Sequence, residues 1–174
     1  MTYEEIIRFH GHSCPGLAIG FRMSMAAMGA LASIRAEDEE LVAIVENDAC
    51  GVDALQCVTG CTFGKGNLLF RDYGKHVYTV YSRQSRQGVR VLFHAKDVPD
   101  DIREDRERFS EWILTAPEES VVDVSIVRID APEPARIMAS EPCDACGEAV
   151  MQSRLRSVAD RTVCIPCSEA MHAH

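Results

Sequence analysis

Aromatic residues are scarce: one Trp, four Tyr and six Phe make up 6% of 174 residues. A surface that stacks nucleic-acid bases needs aromatics interleaved with basic side chains. Basic residues are also in the minority, 18 Lys and Arg against 27 Asp and Glu, and the net charge of −9 argues against a general nucleic-acid binder. Long apolar runs are missing. The longest, Leu17 to Ile34, is broken by Arg22 and Ser24 and is rich in Gly, Ala and Met, so it reads as a buried helix and not as a membrane span. The N-terminal MTYEEIIRFHGH lacks the basic and apolar regions of a signal peptide, and cytoplasm is the expected compartment. There, eight cysteines are expected to be metal ligands or reactive thiols before they are disulfides.

The remaining composition is that of a globular chain, with 47% hydrophobic and 26% charged residues. Its length suits one domain with a small appendage. Charge is unevenly spread: net −6 over residues 1–62, +6 over 63–96, −8 over 97–134 and −1 over 135–174. The basic block reads as a solvated charged hairpin, with an anionic substrate or partner as the alternative.

Thr2-Tyr-Glu-Glu5 has capping-box form and predicts a short helix over Tyr3 to Phe9. Pro15 suits the first turn of a second helix, expected to run to about Ala36. Leu41 to Val45 has strand composition, and Asp53-Ala-Leu-Gln56 predicts a helix that Gly60 closes. Val77 to Tyr81 and Val89 to Phe93 alternate like paired antiparallel strands. A helix is expected over Asp100 to Thr115 and a last strand within Val121 to Ile129. Helices and strands mix without a regular βαβ rhythm. The expected class is α+β, helices packed on a mainly antiparallel sheet, with a small C-terminal zinc-finger module. Ala131-Pro-Glu-Pro-Ala135 reads as a stiff linker, dividing a core domain of 1–134 from a module of 135–174.

Within that module, Cys143-Asp-Ala-Cys146 and Cys164-Ile-Pro-Cys167 are separated by 17 residues, the two-knuckle spacing of a tetrahedral structural zinc site. A redox pair at Cys164 and Cys167 is the weaker alternative. Closed four-sulfur coordination leaves no open position, so any chemistry is expected in the first 130 or so residues.

Two stretches there carry chemistry. In FHGHSCPG, His10 and His12 project to one side if extended, and Cys14 precedes Pro15 at a helix N-terminus, where dipole and free amides favour a thiolate. A soft sulfur and two imidazoles suit zinc, nickel, copper or iron; an ordinary turn with a small core thiol is the competing reading. In the second stretch, Asn47 to Asn67, Cys50, Cys57 and Cys61 exceed what core packing needs. Gly64-Lys-Gly-Asn67 resembles a phosphate loop only superficially, because Gly66 stands where the magnesium-binding hydroxyl would be. Lys65 and Asn67 remain candidates for contacting a ligand.

Taken together, FHGHSCPG with its small-residue helix, NDACGVDALQCVTGCTFGKGN and YTVYSR resemble the formylmethanofuran dehydrogenase E-subunit family, over roughly residues 3–130. The resemblance implies an α+β core, a homodimer, and a cleft where the two motif stretches meet. Carried onto this chain, it gives His10, His12, Cys14, Cys50, Asp53, Gln56, Cys57, Cys61, Lys65 and Asn67 as candidates without assigning their roles; of these, His12, Cys14 and Cys61 are expected as primary ligands of a core metal such as zinc, nickel or iron, with His10 and Cys57 second. His10, Cys50, Asp53, Gln56, Cys57, Lys65 and Asn67 become cleft residues. The C-terminal module resembles the treble-clef or ribbon-like finger of some members. The family name implies association with the molybdenum or tungsten enzyme that reduces carbon dioxide onto methanofuran. Nothing here resembles its molybdopterin-binding subunit, so an accessory role beside oxidoreductase subunits, with a small one-carbon ligand, is expected. Two alternatives stand: a thiol redox or metal-delivery protein using Cys14, Cys57 and Cys61, and a scaffold whose finger binds a partner.

Overall fold

The computed structural model describes residues 1–33 and 35–172, which divide into two compact units, Met1–Ala135 and Arg136–His174. The first unit opens with helix α1 (Tyr3–His10). Its capping box is complete: Glu5 N–H donates to Thr2 Oγ1 at 3.3 Å and Thr2 N–H to Glu5 Oε2 at 2.7 Å. Helix α2 (Pro15–Leu31) starts at Pro15 as expected but stops five residues short of Ala36. Ala32 enters the left-handed region at φ +46°, and its N–H returns to Gly29 O at 3.1 Å. The Ala36 N–H then pairs with Thr59 O at 2.8 Å, so this stretch is tied to another element. Ile34, inside the expected helix, lies outside the described residues.

Strand β1 (Leu41–Val45) leads into helix α3 (Gly51–Thr59) and strand β2 (Leu68–Phe70), which pairs parallel with β1. This βαβ crossover was not visible in the sequence, because β2 is only three residues long and follows a glycine-rich turn. Helix α3 begins two residues before the expected Asp53. Asn47 makes the turn instead: its Oδ1 accepts from Ala49 N–H at 3.0 Å and its Nδ2 donates to Lys75 O at 2.6 Å. That releases the Asp53 carboxylate from capping duty.

Strands β3 (Val77–Ser82) and β4 (Gln87–Phe93) form the expected hairpin. The helix expected over 100–115 is split into α4 (Asp100–Glu104) and α5 (Arg106–Thr115), because Asp105 caps the second piece by accepting from Glu107 and Arg108 N–H at 3.0 and 3.1 Å. An aspartate competes for backbone donors better at a cap than in a helix interior. Short helix α6 (Glu118–Val121) delivers strand β5 (Val122–Val127). The sheet order is β2-β1-β3-β4-β5, with every pair antiparallel except β1–β2.

Helix α2 packs on one face of this sheet. It is buried at Leu17, Met23 and Ala27, and its Arg22 guanidinium satisfies the terminal carbonyls of α5, Ile113 O at 2.7 Å and Ala116 O at 2.9 Å. The segment read as a stiff linker is fastened to the core: Arg83 donates to Pro132 O at 2.6 Å and Ala135 N–H to Glu39 Oε2 at 3.0 Å.

Helix α3 crosses α2 at backbone contact. A Cβ on Gly51 would stand 2.9 Å from both Gly16 O and Gly20 Cα, a Cβ on Gly20 would collide with the Gly51 backbone, and one on Gly16 would stand 3.3 Å from Cys50 Cβ. Only glycine allows so close a crossing.

The second unit carries strands β6 (Ser140–Pro142) and β7 (Ala149–Met151), then β8 (Leu155–Val158) and β9 (Arg161–Cys164), each pair an antiparallel hairpin, followed by helix α7 (Ile165–His172). Among the described residues no helix is long and apolar enough to cross a membrane.

Two glycines of α2 separate crossing from propensity. Gly20→Ala is expected to destabilise the chain by about 3 kcal/mol through overpacking. Gly29→Ala, exposed and with nothing within 4 Å, should stabilise it by about 0.5–1 kcal/mol. Urea midpoints measure both, and equal shifts for the two would refute the backbone-contact account.

Candidate metal centre

The glycine crossing brings two helix N-termini together. Cys14 is the N-cap of α2, its Sγ accepting from Leu17 N–H at 3.4 Å, and Cys50 is the N-cap of α3. α1 stops beside them, because Gly11 adopts φ +97°. His10, His12, Cys14 and Cys50 each thereby offer one donor atom, and all four atoms lie within 4.8 Å of one another.

His10 is the most informative member. Its Nδ1 lies 2.7 Å from Asp53 Oδ2. An ionised carboxylate only accepts, so Nδ1 carries the proton, and in the neutral ring Nε2 then presents its lone pair. That Nε2 is buried and has no hydrogen-bond partner. Gln56 steadies the carboxylate, donating from Nε2 to Asp53 Oδ1 at 3.4 Å. A carboxylate behind a histidine whose far nitrogen faces other soft donors is the arrangement that orients imidazole on a metal.

Burial pushes the Cys50 thiol up, and the neighbouring Cys14 sulfur adds to the effect. Tyr78, buried on β3, is pushed well above the usual phenol range by desolvation, with Cys50 and Asp53 contributing. Its hydroxyl would be 2.5 Å from a Cβ on Gly51, which sets it behind the mouth of α3. The strand alternation marked Tyr78 only as one residue of β3; its place behind the helix mouth depends on the crossing, which no local pattern shows. Without a cation, burial and the neighbouring sulfur make Cys50 resist ionisation. A divalent ion reverses that preference, and two helix N-termini favour the resulting thiolates.

The other sequence candidates fall elsewhere. Cys61, expected as a primary ligand with His12 and Cys14, lies outside the donor group, and Cys50 stands in its place. Cys50 and Cys61 flank opposite ends of α3, whose nine residues span about 14 Å. Gly60 at φ +76° closes the helix and turns Cys61 into the core, fully buried. Burial pushes the Cys57 and Cys61 thiols up. Asn67 is fully buried, with Nδ2 donating to Asp38 O and Leu41 O at 2.9 and 3.0 Å and Oδ1 accepting from Thr62 N–H at 2.9 Å. Lys65 Nζ donates to Glu37 O at 3.1 Å. The Gly64–Asn67 turn thus fastens the entry to β2 and leaves Asn67 no free amide hydrogen for a ligand.

A cavity of about 440 Å³ shares His10, Cys50, Asp53 and Gln56 with the centre and is walled by Phe63 and Phe70. These two rings are 79% and 49% exposed, high values for aromatics beside a cleft.

In the second unit the sulfurs of Cys143, Cys146, Cys164 and Cys167 also lie within 4.8 Å of one another. The first knuckle closes through Gly147 N–H on Cys143 O at 2.8 Å, with Gly147 at φ +76°. Backbone N–H groups of Cys146, Cys164 and Ala145 hold the Cys143 thiol down to about 6, while Cys164 beside it pushes the Cys167 thiol up to about 12. The fully or nearly buried apolar core of this unit is Val163 with Cys143 and Cys164. So small a core gains folding energy from a metal, and four convergent sulfurs fit zinc.

Fold and donor groups together define the class: an α+β protein carrying one His/Cys group at the mouths of two helices and one four-cysteine finger. Residues 9–123 match the family model described as FmdE, molybdenum formylmethanofuran dehydrogenase operon, and the chain belongs to that family. Residues 136–170 match the prokaryotic dksA/traR C4-type zinc finger. The crystal structure of a tungsten formylmethanofuran dehydrogenase E-subunit (FmdE)-like protein from Syntrophus aciditrophicus is similar, with TM-score 0.74 and 26% identity, covering 98% of this chain and 94% of that one. A protein of Archaeoglobus fulgidus described as a probable S-adenosyl-L-methionine-binding protein is 32% identical over 194 residues, which cover 95% of this chain and 52% of the relative. The chain thus spans about half the length of that relative.

Stripping zinc from the finger should melt β6 to β9 and α7 selectively. Amide exchange after treatment with a strong chelator is expected to accelerate throughout residues 140–172 and to leave β1, β3 and β4 protected. Unchanged exchange in 140–172 would mean that the hairpins hold without metal.

Proposed function

We propose that the core of this protein holds a transition metal, zinc, nickel or iron, through His10, His12, Cys14 and Cys50, beside a cavity that receives a small molecule. The observation that carries this reading is the buried, unpartnered Nε2 of His10, fixed as a lone-pair donor by Asp53. A buried nitrogen without a partner costs about 1–3 kcal/mol, and a metal ion removes that penalty while matching the charge of two thiolates. When bound, the ion supplies a charge centre that can polarise a ligand. The chain's own residues do the rest: Asp53 and Gln56 orient His10, the α2 and α3 mouths stabilise the sulfurs, and Phe63 and Phe70 wall the ligand's body.

The protein acts, in this reading, as a metal-binding accessory to an oxidoreductase and not as a molybdopterin-bearing catalytic subunit. Support comes from the family's association with a molybdenum formylmethanofuran dehydrogenase operon and from the fact that both donor groups are mononuclear in size. The ligand named for the Archaeoglobus relative, S-adenosyl-L-methionine, is the first to titrate. Its cationic sulfonium and flat adenine match a cavity lined by Asp48, Asp53 and two exposed rings. A redox role for Cys57 and Cys61 has less support, because burial keeps both thiols protonated and unreactive.

Metal content tests the centre. Full-length protein prepared without added metal or affinity histidines is expected to hold about two equivalents, and about one in Cys14→Ser or in Cys164→Ser. Asp53→Asn should keep both but weaken the core site by about 10–100-fold in competition with a chromophoric chelator. A wild-type content of one, sensitive only to Cys164→Ser, would overturn the reading.

A further inference from the structure

The four core donors are not held alike. Cys14 is fixed as a helix cap by Leu17 N–H, with its side chain buried. Cys50 is fixed by the glycine crossing, its Cβ lying 3.3 Å from the position a Cβ on Gly16 would take. His10 is fixed by Asp53, itself steadied by Gln56. His12 differs: it is exposed, and its ring makes no hydrogen bond among the described residues. Its contact in the centre is the His10 ring, with centroids 4.5 Å apart and planes tilted by 38°. It lies one residue past Gly11, where the left-handed turn ends α1 and nothing stands within 4 Å of the position a Cβ would take.

Three anchored donors and one loose one are the arrangement of a site that exchanges its fourth ligand; a structural site would lock all four. We propose that His12 is the exchangeable member, occupying a coordination position that it yields to an incoming nitrogen or sulfur donor. This rests on the core metal reading above. His10 and Cys50 belong both to the anchored set and to the lining of the 440 Å³ cavity, so a ligand seated there is within reach of the position His12 leaves. Asp48 and Asp53 line that cavity and no lysine or arginine does, which selects against phosphate-bearing molecules. The incoming ligand is therefore neutral or cationic, with a soft donor atom and an apolar body that lies against Phe63 and Phe70.

His12 is thus a gatekeeping ligand, through which the centre would present its metal to a ligand and not only store it. The distinction is visible without knowing the reaction, because loss of an anchored donor empties the centre whereas loss of a gate only opens it.

Cobalt(II) reports the difference. Full-length wild type, His12→Ala, Cys50→Ser and Cys14→Ser are loaded with cobalt, and the Cys14→Ser spectrum, which contains the finger alone, is subtracted from each of the others. His12→Ala is expected to retain its core equivalent with shifted visible bands. Added imidazole should return those bands towards the wild-type position, while inorganic phosphate leaves them unmoved. Cys50→Ser should retain no core equivalent. If His12→Ala empties the core as Cys50→Ser does, His12 is an anchor and the proposal falls. It also falls if the His12→Ala bands match wild type and ignore imidazole, since His12 is then no ligand. A wild type holding no more cobalt than Cys14→Ser removes the core centre itself, and the gate with it.

Discussion

The backbone contact between α2 and α3 is the constraint on which the rest depends. Gly16, Gly20 and Gly51 let two helices approach until a side chain on Gly20 or Gly51 would collide and one on Gly16 would be tightly packed. That approach fixes where Cys14 and Cys50 stand, because each occupies the N-cap of one of the crossing helices. It also brings Asp53, one turn into α3, against the last turn of α1 and so against His10. A looser crossing would separate the sulfurs, release the histidine and detach Tyr78 from the space behind Gly51. The site is therefore a property of helix packing, and no single loop supplies it.

Electrostatics complete what packing begins. Two helix dipoles point their positive ends at the same small volume, each worth about 0.3–1 kcal/mol to a nearby anion. Burial works against them by raising the cost of ionising Cys50. In the core-metal reading the two effects oppose each other until a cation binds, after which both favour the bound state. The finger meets the same difficulty differently: backbone N–H groups lower one thiol, Cys143, and leave Cys167 high.

Much of this was legible in the chain. The capping box at Thr2, Pro15 at a helix start, the β3–β4 hairpin and the paired CxxC spacings are local signals whose physics acts within a few residues, and each appears as expected. The α+β class follows from the same signals. Family resemblance drew attention to His10, His12, Cys14 and Cys50, but the expected primary ligands included Cys61 and left out Cys50. Helical spacing put Cys57 and Cys61 on one face; Gly60 ended the helix between them. The Asp53 motif looked like a cap because it has cap chemistry. Asn47 had already made that turn, freeing Asp53 for His10. Such competitions are decided by tertiary contacts, which a linear pattern does not contain.

Cysteine at a helix cap has a further consequence. Serine, threonine, asparagine and aspartate cap helices best, and forgoing one costs about 1 kcal/mol; α3 has no side-chain cap hydrogen bond at all, and α2 has only a sulfur acceptor. The empty fold is thus locally under-stabilised at two helix starts that meet. A cation that binds only the folded chain adds stability in proportion to the logarithm of its free concentration. Chains made in metal-poor cells would open more often at this corner and be cleared sooner by proteases. Under the core-metal reading proposed above, the abundance of the protein would then track the supply of that metal, with protein turnover itself acting as the sensor.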